Sequence, residues 1–332
     1  MRKFFILLAG LLSALPNGAK ALEVTAHRIV AEAVAPETAL NWMTLRVRDG
    51  VVRVIADRGN FKAIRTPVME KHDMPEGVLP DSGFTIGTRN IRNAWLTLPT
   101  RRYRHGVLGD SIEAGGLSAT LGLGRKSDLV LDQNSVFEDR IPRLADMDGD
   151  GTDEILVVRS FLDAGAALTL ITAKGGRLAI AASAEPIGMA NRWLNPVGAA
   201  DFDGDGRMEA AVVITPHIGG TLQLYEWKGD KLVGDHSAYG FSNHSIGSRE
   251  LGLSTITDLN ADGITDMIVP DAGRGYLIGL TFAGGAYKEL FRHQMEGRLA
   301  TNVVAGDLDG DGRPEIAYGT GDGKVSILTV RP

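Results

Sequence analysis

Short apolar runs bounded by Gly, Asp and Asn recur along the chain, and they lack the period of a helix. EILVV (154–158), LTLIT (168–172), EAAVVI (209–214), LQLYEW (222–227), DMIV (266–269), YLIGLTF (276–282), EIAY (315–318) and VSILTV (325–330) all predict strands. Their order is itself periodic. A run such as VGAAD (197–201), LSTITD (253–258) or NVVAGD (302–307) leads into an acidic turn, and two β-type runs follow. A fourth run, such as RLAIAA (177–182) or AYKELF (286–291), then returns. Gly175-Gly176, Gly229-Asp230 and Gly284-Gly285 separate the third run from the fourth and predict two-residue hairpins.

The acidic turns align without gaps: DMDGDGTDE from Asp146, DFDGDGRME from Asp201, DLNADGITD from Asp258 and DLDGDGRPE from Asp307, at spacings of 55, 57 and 49. A repeated unit of this length with four short antiparallel strands is a propeller blade. A sandwich gives no reason for one loop to recur at the same place in each sheet. The expected fold is therefore all-β, a β-propeller of four-stranded antiparallel blades, with six blades favoured over seven. The last unit stops one strand short after VSILTV, and a bare edge there is a liability. A strand from 22–35 is expected to complete it and close the ring. Upstream, AWLTL (94–98) and SATLGLG (118–124) look like a worn blade whose metal loop has become PTRRYRHGVLGDSIEAG. MTLRVRDGVVRVIA predicts a hairpin turning at Asp49-Gly50.

Each acidic turn has the pattern D-x-[DN]-x-D-G-x-x-[DE]. Carboxylates this close repel one another, so the pattern calls for a cation. Side chains at positions 1, 3 and 5 of a tight turn point inward together, Gly at 6 reverses the backbone, the carbonyl of 7 faces the centre, and the acid at 9 closes the cage. Such an all-oxygen cage suits Ca2+ better than Mg2+, and turns without Cys or His do not suit zinc. The expected ligands are Asp146, Asp148, Asp150, Glu154 and the Thr152 carbonyl in the first loop, and Asp201, Asp203, Asp205, Glu209 and the Arg207 carbonyl in the second. The third would use Asp258, Asn260, Asp262, Asp266 and the Ile264 carbonyl, and the fourth Asp307, Asp309, Asp311, Glu315 and the Arg313 carbonyl. Up to four Ca2+ are expected, with the third site weakest because Asn260 removes one charge. A helix-loop-helix calcium hand does not fit. It needs Glu at position 12, where this chain has Val157, Val212, Val269 and Tyr318.

In these loops and their flanking strands, over 141–330, the chain resembles the calcium-loop repeats called FG-GAP or VCBS repeats, best known from the propeller of integrin α-subunits. It is similar in particular to exported bacterial proteins that carry them. The Phe-Gly and Gly-Ala-Pro stretches that name the family are absent as such, and 22–140 matches only loosely. The resemblance implies a propeller with Ca2+ in its loops. It does not imply one activity, since the family includes adhesion modules, carbohydrate binders, hydrolases and lyases.

The amino terminus sets the location. MRKFFILLAGLLSALPNGAKA has a basic start, an apolar run from Phe4 to Leu15 and an Ala-Lys-Ala end, the layout of a signal peptide cleaved after Ala21. The run is too short for a spanning helix of about 20 residues. The expected organisation is a signal peptide over 1–21 and a single propeller domain over 22–332, in the periplasm or outside the cell. Absence of cysteine excludes disulfides. The mature chain carries 32 basic residues against 41 acidic, a net of −9, which argues against nucleic acid or an anionic membrane as partner.

If the acidic loops join first and second strands, the second-to-third and unit-to-unit connections share the other face. That face would carry Asn191, Arg192, Trp193, His217, Asn243, His244, Arg249, Glu250, Asp271 and Arg274, a set suited to a protein or glycan ligand. Arg101, Arg102, Tyr103, Arg104 and His105 form a basic patch, taken as balancing nearby carboxylates. Nucleophile-elbow, zinc-protease, P-loop and dinucleotide motifs are absent. A His244–Glu250 pair is a candidate for acid–base chemistry. The expected function is a non-catalytic calcium-stabilised binding module, with a secreted hydrolase or lyase acting on polysaccharide or phosphoester as the alternative.

Overall fold

The computed structural model describes residues 22–29, 42–47, 50–57, 60–66 and 74–331. The signal-peptide stretch and Asp49 of the first hairpin lie outside them. The described elements are strands and two 3-10 turns.

Strand β1 (Glu23–Ile29) comes first. A three-stranded meander, β2 (Met43–Val47), β3 (Gly50–Asp57) and β4 (Asn60–Thr66), makes the first unit. The second is β5 (Phe84–Ile86), β6 (Ile91–Thr100), β7 (Glu113–Leu121) and β8 (Arg125–Val130). In the third, the opening strand is split into β9 (Ser135–Phe137) and β10 (Arg143–Ala145), both paired with β11 (Glu154–Phe161); β12 (Gly165–Thr172) and β13 (Ala179–Ser183) follow. The fourth contains β14 (Leu194–Ala200), β15 (Glu209–Ile214), β16 (Thr221–Lys228) and β17 (Lys231–Tyr239), and the fifth β18 (Thr255–Thr257), β19 (Asp266–Pro270), β20 (Tyr276–Thr281) and β21 (Lys288–Gln294). The sixth has β22 (Val304–Gly306), β23 (Glu315–Gly319) and β24 (Val325–Arg331), and its outer strand is β1. β1 runs antiparallel to β24 from Glu23 opposite Arg331 to Ile29 opposite Val325. The missing strand of the last unit thus comes from the expected segment.

Alternation along the strands explains how the units stack. Successive side chains of a strand point to opposite faces, and each face here meets a different neighbour. Ile155 and Val157 of β11 pack with Leu96 and Leu117 of the second unit, while Leu156 and Val158 pack with Ala210 and Val212 of the fourth. Ala211 and Val213 of β15 in turn face Met267 and Val269 of the fifth unit. Ile268 and Ile316 share the cluster between the fifth and sixth, and Ala317 and Ile327 pack on Leu45 and Val54 of the first. The inner strands β11 and β12 are therefore apolar on both faces, whereas the outer β8 is largely exposed. The opening strands β14, β18, β22 and β2 lie side by side in that order.

Two local expectations are corrected. Only Gly229-Asp230 forms a two-residue hairpin; the Gly175-Gly176 and Gly284-Gly285 pairs sit in longer connections, 173–178 and 282–287. The segment PTRRYRHGVLGDSIEAG is not a worn metal loop. AWLTL lies in β6, the second strand of its unit, so the insertion joins second and third strands and belongs to the opposite face. The position of the metal loop is taken by the short turn 87–90 between β5 and β6.

Candidate functional site

The four acidic loops are built on one hydrogen-bond scheme. The amide of position 6 donates to the Oδ2 atom of position 1: Gly151 to Asp146, Gly206 to Asp201, Gly263 to Asp258 and Gly312 to Asp307, at 2.9–3.0 Å. The amide of position 7 donates to Oδ1 of position 5, and that of position 5 to Oδ1 of position 3. The acid at position 9 opens the second strand, is buried, and accepts from the amide of position 2: Met147 to Glu154, Phe202 to Glu209, Leu259 to Asp266 and Leu308 to Glu315. Each loop amide thus holds one carboxylate oxygen in place.

These constraints bring ligand atoms together. One oxygen each from Asp201, Asp203, Asp205 and Glu209 lies within 4.8 Å of all the others, as do those of Asp146, Asp148 and Glu154, and of Asp307, Asp309 and Asp311. These clusters could hold a metal ion. In the first loop Asp150 is held aside by Thr152, whose amide and hydroxyl both donate to it. In the third, Asn260 donates its side-chain amide to Asp262 Oδ2, and its three carboxylates do not converge in this way. Electrostatics confirm the crowding. Burial pushes Glu154, Glu209 and Glu315 up to about 7 and Asp266 up to about 6, and the loop aspartates add to the rise. Asp146 Oδ1 is buried without a partner. The donor set of loop carboxylate oxygens, with Asp146 Oδ1 and Asp266 Oδ1 both left without partners, fits a hard divalent cation.

Position 4 carries a signal that sequence reasoning missed. Gly149, Gly204 and Gly310 have φ of 72°, 81° and 82°, and the third loop places Ala261 there at 61°. The left-handed region costs an L-residue about 1–2 kcal/mol, partly offset by the entropy glycine loses on folding. Ala261→Gly is therefore expected to stabilise the protein by about 0.5–1 kcal/mol and Gly149→Ala to destabilise it, read by denaturant unfolding.

The short turn 87–90 serves its neighbour. Arg89 contacts Asp146 at 2.9 Å and Asp153 at 3.3 Å, and Asn90 exchanges two hydrogen bonds with the Asp153 backbone. On the same face, a groove of about 460 Å3 opens between the first and second loops, with Trp227, Lys174 and Arg207 in its wall.

The opposite face gathers some of the anticipated residues and buries others. Trp193, Asn243 and His244 are buried. Trp193 donates Nε1–H to the Glu138 carbonyl and stacks on His217, with ring centroids 6.2 Å apart. Asn243 ties the backbone at Asn195 to Ser254. The Trp193 anchor imagined for a ligand is thus a support beneath the surface. Arg249 pairs with Asp81 and Asp110, and Glu250 with Arg46, so both join separate segments and Glu250 is not paired with His244. His244 instead donates from Nε2 to the Ser248 carbonyl, 3.0 Å away, and meets His217 Nε2 at 2.9 Å through Nδ1. Asn191 donates its amide to the Tyr103 hydroxyl, and Arg274 reaches the His244 carbonyl.

The insertion 101–112 brings residues that the sequence pattern had assigned to the other face. His105 Nδ1 lies 2.7 Å from Glu138, whose carboxylate is wholly buried and also bonds Ser160. Of the basic patch, only His105 meets a carboxylate among the described residues; Arg102 donates to the Ser135 carbonyl and the Gln133 side chain. Glu113, at the start of β7, is buried with Oε1 unpartnered beside a cavity of about 20 Å3 lined by Asp139 and Arg140. Burial pushes it from 4.5 up to about 9, with Glu138, Asp110 and Asp139 adding to the rise. Between those values the folded chain holds a proton that the unfolded chain has released, so stability falls as pH rises from 4.5 to about 9. Glu113→Gln is expected to flatten that slope and to add on the order of 2 kcal/mol at pH 8, measured by urea unfolding at pH 5 and 8.

An all-β chain of stacked antiparallel units, several opened by the same acidic loop, is a β-propeller-like repeat protein. The family model described as FG-GAP-like repeat matches residues 146–212 and 258–318, so the chain carries FG-GAP-like repeats over those two segments. No curated protein matches the chain. Among solved structures it is similar to the exotype rhamnogalacturonan lyase YesX, at 16% identity and a TM-score of 0.45, over 85% of this chain and 55% of that one. It is also similar to the WD40 domain of Toxoplasma gondii coronin, at 9% identity and a TM-score of 0.45, over 94% of this chain and 87% of that one. The chain spans about half the length of the lyase.

Proposed function

We propose that the six units close into a six-bladed propeller with Ca2+ in up to four loops, exported by a signal peptide cleaved after Ala21. It acts as a non-catalytic module that binds a protein or glycan on the face opposite the loops. The observation that carries the calcium reading is the shared hydrogen-bond scheme. It ties the loop carboxylates to the backbone, accompanies the convergence of their oxygens within 4.8 Å in three of the loops, and leaves Asp146 Oδ1 buried without a partner. A divalent cation there would relieve both the repulsion and the burial that raise Glu154, Glu209 and Glu315. The supporting residues would be those named for each loop, with the carbonyls of Thr152, Arg207, Ile264 and Arg313 completing the cages.

Mature protein used as bait in envelope extract, with Ca2+ and with a chelator in parallel, tests the binding half. A stoichiometric partner captured only with Ca2+ supports a protein-binding module. Absence of any partner with the protein folded shifts the reading to a glycan. One observation favours the enzyme alternative: His105 is oriented by the buried Glu138, an arrangement able to do acid–base work. His105→Gln would lower turnover by orders of magnitude in an enzyme and alter affinity only gradually in a binding module.

A further inference from the structure

The opposite face differs in charge from the rest of this acidic chain. Arg104 and Arg298 are exposed and Arg192 half-buried, and none of the three guanidinium groups has a hydrogen-bond or ion-pair partner among the described residues. Arg104 lies on the 101–112 insertion, Arg192 on the β13–β14 connection and Arg298 on the β21–β22 connection, all on this face. Arg274 donates only to the Ser242 hydroxyl and the His244 carbonyl, and it lies close enough to Arg298 to feel its charge. Acids on the same connections are mostly neutralised: Asp81 and Asp110 by Arg249, Asp139 by Arg143, and Glu250 by Arg46. Glu76 and Asp163 are the exposed acids left without such partners.

Between these arginines lies the histidine cluster, whose tautomers follow from its partners. The Ser248 carbonyl can only accept, so the hydrogen of His244 sits on Nε2 and its Nδ1 accepts from His217 Nε2–H. Both rings are neutral at pH 7: burial pulls His244 down to about 3 and His217 down to about 4, with Arg274 contributing to each. His217 therefore keeps a lone pair on Nδ1, and as a half-buried side chain it can accept from a hydroxyl group. The backbone here is strained as well. Asn191, Thr215 and Arg274 have φ of 58°, 48° and 53°, and Thr215 is β-branched. Three left-handed non-glycine residues around one cluster are held in that strained region by the surrounding structure, where positioning matters.

We infer that this face takes an anionic, hydroxyl-rich chain, a polysaccharide bearing uronic acid carboxylates, with Arg104, Arg192, Arg274 and Arg298 meeting the carboxylates and His217 accepting from a sugar hydroxyl. Guanidinium groups match carboxylates in charge and planar geometry, and unpaired ones surrounding a neutral acceptor select for charge and hydroxyl together. This assignment rests on the glycan half of the proposed function. The test is isothermal titration of the mature protein with hexasaccharides of galacturonate, mannuronate and hyaluronate, each against its methyl ester. The free acids are expected to bind at least tenfold tighter than the esters, with the difference shrinking between 20 and 300 mM NaCl. Arg104→Ala, Arg298→Ala and His217→Gln should each weaken binding at least threefold with the melting temperature unchanged. Equal binding of acid and ester would overturn the anionic assignment and leave a glycan-binding module. Binding of the acids that ignores all three substitutions would overturn the placement on this face. No binding by acid or ester would overturn the assignment together with the glycan reading, leaving the protein partner.

Discussion

Chelation lowers the melting temperature by on the order of 10 °C, and Ca2+ but not Mg2+ restores it. The size follows from mass action. A site held at a hundred times its dissociation constant contributes about 2.7 kcal/mol, and occupied loops on separate units add because they share no ligands. The physical route is local. Without a cation, the first, second and fourth loops keep three or four carboxylates within a few ångströms, and all four bury the ninth-position acid at the foot of the second strand. The amides of the loop hold these groups but do not neutralise them. Mg2+ is the informative control, because it keeps its waters and asks for octahedral geometry. Among single substitutions, Asp201→Asn should cost most, since the second loop converges all four of its carboxylates. Asp258→Asn should cost least, because the third loop is already short of charge and strained at Ala261. Equal melting by calorimetry with and without chelator would remove the structural role of the metal.

Much of this arrangement was legible in the residues because period and chemistry coincided. Alternation in EILVV and EAAVVI set which side chains face which neighbour, and the acidic turns marked the same joint in four units. Where the turn was lost, the register was lost with it. AWLTL and SATLGLG were correctly strands, but without an acidic turn nothing in them distinguishes a first strand from a second, and the insertion went to the wrong face. The glycine pairs misled for a related reason. Gly175 and Gly176 satisfy a positive φ, as a two-residue hairpin would, but so does the 3-10 turn they form. The opposite face was legible by topology and not by exposure. Loop position placed Trp193, Asn243 and His244 correctly in sequence, whereas their burial depends on neighbours far along the chain, Glu138, Asn195 and His217 among them. His105 was visible in sequence only as one member of a basic patch, and nothing local marked its pairing with Glu138, 33 residues on.

Removing residues 22–29 makes the protein aggregate or fail to fold, an effect larger than that of any single loop. β1 supplies the outer strand of the sixth unit along seven residue pairs, so its loss bares the length of β24 to solvent. It does more than cover an edge. The Leu22 amide bonds the Leu290 carbonyl of β21, Leu22 and Val24 pack on the core between the fifth and sixth units, and His27 meets Phe61 of the first unit edge-on at 5.4 Å. One strand, β1, thus touches the fifth, sixth and first units. Thr25→Pro separates this role from mere failure of expression. Thr25 sits mid-strand opposite Thr329, and proline there has no amide to donate to the ladder and fixes the local backbone. The substitution should lower the melting temperature by several degrees. It should also speed proteolysis of the chain ends before that of the acidic-loop units. An unchanged melting temperature in Thr25→Pro would mean that β1 is an ornament on the sixth unit, and that the first and sixth units are held together by the packing of β2 on β22 and β23 without it.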